Sequence, residues 1–198
     1  MTPTTVAPVR RTQIVDATIR CLAREGYVRL TIKAIAREAR LNQGMLHYYF
    51  PDKRSILVAA LEKVMGTLNR RTVARAAGAR DPLVRIRALL GACLDVADEQ
   101  REFWVVFVQF WSAMLYDEEL RRINADLYRK LRSVITGIVH DGIEQGVFRR
   151  INPEEAGAVI LALADGLSLQ RSFDEESLSL ADALRFGEAA VLRYLGTD

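Results

Sequence analysis

Three observations predict an all-α chain. Apolar residues recur at spacings of three and four along most of the length, no alternating strand-like run interrupts them, and the breaks fall at capping residues, glycines and prolines. Half of the 198 residues are hydrophobic and 27% are charged, with only 12 Gly and 5 Pro, a composition that builds a core and does not stay disordered.

The first eight residues, MTPTTVAP, have no period and are expected to form a loose tail. From Val9 onward Ile14, Ala17, Thr18, Cys21 and Leu22 mark a first helix that stops at Gly26, a natural left-handed cap. Thr31 stands as N-cap before Ile32, Ala34, Ile35 and Ala39, a short helix that ends near Arg40. Asn42 caps a third, Gln43 to Tyr49, which stops before Pro51 because the residue preceding a proline avoids the helical region. A long amphipathic pattern runs from Arg54 through Ile56, Leu57, Ala60, Leu61, Val64, Met65 and Leu68, and fades in RAAGARDP. Further helical patterns cover about 83–99, 101–115, 118–145, 153–172 and 178–195. The expected organisation is a three-helix head at 9–53 and a larger helical body at 54–198.

Charge separates these two parts. Residues 1–53 hold nine Lys/Arg against four acids, a net +5, which leaves −2 for the rest of a chain whose total is +3. A basic small segment on a slightly acidic larger one points to a polyanion as the partner of the head. The first 24 residues contain no apolar run of signal-peptide length, and no segment reaches the roughly 18 apolar residues of a membrane span. A cytoplasmic protein with no membrane partner is therefore expected. Cys21 and Cys93 each fall on an apolar helical face and read as buried and inert. With His47 and His140 the only histidines, the sequence argues against a metal site or a catalytic thiol, and it implies no cofactor.

The run LNQGMLHYYFPDK, 41–53, carries the chemistry of the head. In a helix-turn-helix the second short helix enters the major groove, so its outer face needs hydrogen-bonding groups and no repelling carboxylates. Residues 42–49 contain no acid. Asn42, Gln43, His47, Tyr48 and Tyr49 offer hydrogen bonds, Gly44 permits close backbone approach, and Met45 suits a thymine methyl. Leu46 and Phe50, four apart, read as the inward face.

The stretch TIKAIAREARLNQGMLHYYFPDKRSIL resembles the helix-turn-helix of the TetR family of bacterial repressors, through Thr31, the Ile35-Ala36 pair, Asn42 to Met45, Tyr48-Tyr49-Phe50, Asp52 and Lys53. The resemblance implies a homodimer on a palindromic double-stranded operator. It implies phosphate or base contacts from Thr31 and Lys33, base edges read by Gln43, Gly44 and Met45, phosphate or base contacts from His47 and Tyr48, and a phosphate contact from Lys53. Arg40 stands where the family usually has a glycine, so either the turn accepts a positive φ there or its geometry differs.

In the body, REFWVVFVQFWSAMLY at 101–116 is the richest apolar stretch, with Trp104, Phe107, Trp111 and Met114 on one stripe. These rings either fill a core or line a ligand cavity, and two indoles each need a hydrogen-bond partner in a core. The body resembles the BetI-type subgroup through its FW pair, Leu120 to Asn124 and Leu163 to Leu167. That likeness makes choline or another quaternary ammonium one candidate effector, an apolar or aromatic molecule being the other. Asp165, the one acid in the middle of an apolar helix, pairs with a cation, caps a solvated gap or serves a dimer contact.

Small residues line one side of each of the last two helices: Ala158, Ala162, Gly166 and Gln170, then Ala183, Gly187, Ala190 and Tyr194. Such stripes suit either packing within the subunit or a four-helix dimer contact, and the family pairs through these helices. An enzyme finds no support, because no nucleophile, base and orienting acid recur at useful spacing and no glycine-rich phosphate loop is present. The rival reading is a helical small-molecule or lipid carrier that keeps the fold without reading DNA; it predicts a neutral or acidic head.

Overall fold

The computed structural model describes residues 3–99 and 101–197, with side chains from 7 to 95 and from 101 to 197. The described residues form helices α1 (Pro3–Glu25), α2 (Ile32–Glu38), α3 (Gln43–Tyr49), α4 (Lys53–Ala76), α5 (Pro82–Glu99), α6 (Arg101–Met114), α7 (Glu118–Glu144), α8 (Pro153–Phe173) and α9 (Leu180–Leu195), with no strand among them. None of these helices is long and apolar enough to cross a membrane.

Capping chemistry sets the boundaries. The Thr31 side chain accepts from the Ala34 amide, Asn42 from Met45, and Ser179 from Asp182, each satisfying a donor that the first helical turn leaves unpaired. Gly26 and Gly196 end α1 and α9 at φ +82° and +72°. One boundary departs from expectation: α1 begins at Pro3, where a loose tail was predicted, and runs through Pro8. A proline at the first helical position costs no hydrogen bond and its fixed φ suits the helix.

The chain divides into two compact units, Met1–Thr67 with Arg101–Ala125, and Leu68–Gln100 with Asp126–Asp198. In the first, α1 packs on α2, α3 and α6. Ile14, Ala17, Cys21, Leu22, Ile35, Leu46, Phe50 and Phe110 are buried there at 1% exposure or less. Tyr27 meets Phe110 edge to face at 5.4 Å, Gln109 Nε2 donates to the Leu22 carbonyl at 3.2 Å, and Lys63 pairs with Asp16. Arg54, at the start of α4, donates to both Asp117 oxygens at 2.9 and 3.0 Å and to Glu119 at 2.6 Å, strapping the α6–α7 turn.

In the second unit α5, α8 and α9 pack on one another around Leu89, Leu90, Leu94, Ile160, Leu161, Ala164, Val191 and Leu195, with Ile135, Ile138 and Val139 of α7 in the same cluster. Two glycines there allow close approach. A Cβ on Gly142 would lie 2.0 Å from the Phe148 ring, and one on Gly187 would lie 3.1 Å from Leu167.

Candidate nucleic-acid interface

The turn between α2 and α3 is built by a left-handed residue. Arg40 adopts φ +55°. The Leu41 amide reaches back to the Ala36 carbonyl at 2.9 Å and the Arg40 amide to Arg37 at 3.1 Å, the two bonds of a left-handed helix cap. The turn thus accepts the positive φ with arginine in place of the usual glycine, at a cost of about 1 kcal/mol for the crowded Cβ.

Leu46 of α3 and Phe50, the residue that follows the helix, are buried at 0% and 1%, while Gln43, Gly44 and His47 are exposed and Tyr48 is 79% exposed. Gln43 and His47, and Gly44 and Tyr48, are pairs four apart, so they share one outward face. Met45, Tyr49 and Lys53 are half-buried, and Thr31, Lys33 and Asn42 are exposed. Tyr49 packs edge to face against Tyr48 at 5.0 Å. Two polar residues are partly committed elsewhere: Asn42 Oδ1 accepts from Met45 at 2.8 Å and Thr31 Oγ from Ala34 at 3.1 Å. Only the Asn42 amide protons and the Thr31 hydroxyl proton remain to donate outward.

The acids of the head are each tied to a partner within the chain. Glu38 accepts from Arg20 and Arg24 at 2.8 and 3.1 Å, and these bonds hold its carboxyl below the usual carboxylate range. Asp52 caps α4 by accepting the Ser55 amide at 2.7 Å, and that bond likewise lowers its carboxyl. Glu25 pairs with Arg24 at 2.9 Å, and Asp16 with Lys63. Arg29, Lys33, Arg40 and Lys53 make no ion pair among the described residues, so the outer field of the head is positive.

The body residues expected to meet a ligand fall in both units. Trp104, Phe107 and Met114 are buried at 4–5% exposure, Trp111 is half-buried, and the rings pack edge to face at 5.7 and 5.5 Å, all within the first unit. Asp165, in the second, receives a hydrogen bond from the Tyr128 hydroxyl at 2.8 Å. Burial raises its carboxyl to about 6, with the Tyr128 bond opposing the rise. Burial and the Asp165 charge also push the half-buried Cys93 thiol up to about 12, which leaves it unreactive at neutral pH. Tyr128, 37 residues from Asp165, has no signal in the sequence beyond a helical apolar position.

Of the small-residue stripes, Ala158, Ala162, Gln170 and Ala190 are exposed, and Gly166 and Tyr194 are half-buried. Ala183 and Gly187 differ from the outward role expected for them. Ala183 is fully buried, and Gly187 faces Leu167, Leu90 and Leu94 of the same chain, so both serve internal packing. Among the described residues His140, Asp141 and Glu144 form the one group with metal-ligand potential, its ligand atoms within 4.8 Å of one another. Asp141 is already paired with Arg85 at 2.6 Å.

A capped helix-turn-helix with an acid-free, solvent-facing second helix, carried by a helical body, defines a DNA-binding transcription regulator. Comparison with known proteins narrows this class. Residues 14–60 match the model for bacterial regulatory proteins of the tetR family, and residues 82–196 match that for the C-terminal part of BetI-type transcriptional repressors. The chain is 30% identical over 178 residues to the HTH-type transcriptional regulator BetI of Burkholderia mallei strain NCTC 10229, covering 89% of each. It is 28% identical over 191 residues to that of Burkholderia cenocepacia, covering 96% of each. A transcriptional regulator from Saccharomonospora viridis, crystallised in complex with choline, superposes with a TM-score of 0.84 at 27% identity, over 93% of this chain and 95% of that one. The chain belongs to the TetR family, in its BetI-type branch, as a transcriptional regulator and not an enzyme.

Proposed function

We propose that the chain is a ligand-released repressor that binds a palindromic operator as a homodimer in the cytoplasm. Residues 9–53 read the DNA, and residues 54–198 bind the effector and the second subunit. The observation that carries this reading is the exposed, acid-free face of α3 on a head whose carboxylates are all tied to internal partners. Gln43, Gly44 and Met45 read base edges. Thr31, Lys33, His47, Tyr48 and Lys53 hold phosphates, with the Asn42 amide and Tyr49 at the margin. The two heads take successive major grooves about 34–36 Å apart.

The dimer forms through the outer faces of α8 and α9, where Ala158, Ala162, Gly166, Gln170, Ala190 and Tyr194 retain exposure. Small side chains there let helix backbones come close. Effector binding in the body spreads the heads, and effector and operator weaken each other reciprocally, typically by about 1–3 kcal/mol. A choline-like cation is the effector class favoured by the choline complex of the Saccharomonospora viridis regulator; the aromatic row Trp104, Phe107 and Trp111 in the first unit and, separately, the Asp165 carboxyl in the second are groups of the kind that attract a cation.

The test is an anisotropy titration of the protein with the duplex upstream of its own gene, at two salt concentrations, with and without choline. Salt-sensitive binding that choline weakens supports both the repressor and its effector class. Binding indifferent to choline removes the cation, and no sequence-selective binding to that duplex or to any duplex selected from a random pool removes the repressor.

A further inference from the structure

α1 does more than cover the core of the head. Gln13 Nε2 donates to the Ala39 carbonyl at 2.7 Å, and Gln13 Oε1 accepts from Arg10 at 2.7 Å. With Arg20 and Arg24 on Glu38, these bonds fix the end of α2. The end of α3 is held by a different residue. Arg11 Nη1 donates to the Tyr49 carbonyl at 2.9 Å, and its guanidinium carbon lies 4.0 Å from the centre of the Phe50 ring. That ring is 1% exposed and follows directly on the helix.

A seven-residue helix cannot fix its own axis through internal hydrogen bonds, so its orientation is set by what holds its two ends. Its last carbonyls form the negative end of the helix, where a guanidinium is favourably placed, and the same planar group stacks on an aromatic face. A residue that grips both the carbonyl and the ring sets the tilt of α3. We propose that Arg11 is a positioning residue for operator recognition, holding Gln43, Gly44, His47 and Tyr48 at the angle at which they meet the major groove, without touching DNA itself. The proposal rests on the DNA-binding reading above.

An exposed arginine in a basic head has an alternative employment as a phosphate contact, and the two roles separate by measurement. Loss of a phosphate contact weakens binding to every duplex and lowers the salt slope by about 0.9. Loss of a positioning residue weakens the selected sequence and leaves both the scrambled sequence and the slope alone. The full-length protein and its Arg11→Ala and Arg11→Lys variants are titrated with a duplex that the wild type enriches from a random pool and with a scrambled duplex of equal composition. Amide exchange is followed at Leu46 and Phe50, with Ile35 as internal reference.

The expected result is binding of the enriched duplex about tenfold weaker in Arg11→Ala, with scrambled binding and salt slope unchanged and exchange at Leu46 and Phe50 about tenfold faster. Arg11→Lys keeps the charge but not the planar stack, and remains impaired. Uniform weakening with a shallower slope, wild-type affinity in Arg11→Lys, or unchanged exchange each overturns the proposal. Should Arg11→Ala fail to fold, Arg11→Lys carries the comparison alone. If the wild type enriches no sequence, the repressor reading falls and this proposal with it, a result distinct from enrichment followed by indifference to Arg11.

Discussion

Asp165 is a carboxyl whose environment opposes its ionisation. Its folded-state value of about 6 lies above the ordinary 3.8, so the folded chain binds this proton more tightly than the unfolded chain does. The neutral form therefore contributes stability that is fully present below about 4 and is lost as pH rises through about 6. Asp165→Asn keeps an acceptor for the Tyr128 hydroxyl and removes the buried charge; denaturant melts at pH 8 should show it about 1–2 kcal/mol more stable than wild type, with the gain gone at pH 4. If Asp165 also holds a cationic effector, choline affinity measured by calorimetry should rise about tenfold per unit from pH 4.5 to 5.5 and level off above 7. At the DNA face, Lys53→Ala should weaken all duplexes and lower the salt slope by about 0.9, whereas Gln43→Ala should change which sequence a random pool yields. An unchanged consensus with Gln43→Ala would remove its base-reading role.

The short elements of the head were legible because each carries its own signal. Thr31, Asn42 and Gly26 announce their boundaries by local chemistry, and the structure uses each as a cap. Arg40 marked a conflict between chemistry and turn geometry, and the structure resolves it as a left-handed arginine. Relieving that crowding predicts that Arg40→Gly stabilises the head by no more than about 0.5 kcal/mol in chemical denaturation, because the greater flexibility of an unfolded glycine offsets most of the gain. Partners far apart in sequence were not legible. Nothing in spacing joins Arg11 to Tyr49, Tyr128 to Asp165 or Arg54 to Asp117, since periodicity reports which face of a helix is apolar and not what lies opposite it. Ala183 and Gly187 show the same limit, because a stripe of small residues has one spacing whether it meets its own chain or another.

At the scale of the whole molecule, the open face of α8 and α9 makes a prediction about assembly. Ala162→Asp adds a charge on an exposed position where a second copy is proposed to pack, and sedimentation should show it as a monomer with operator affinity reduced by about a hundredfold or more. A dimer that survives the substitution would move the interface elsewhere. The division of the chain has a separate consequence. Residues 101–125 pack with 1–67, through Phe110 on Tyr27, Gln109 on the Leu22 carbonyl and Arg54 on Asp117 and Glu119. The head and body of this chain are therefore not separable at a single cut after the DNA-reading segment. A chimera joined there would pair α1 with a foreign α6, and a sensor engineered by recombination keeps its fold when the segment 101–125 travels with the head it grew up against.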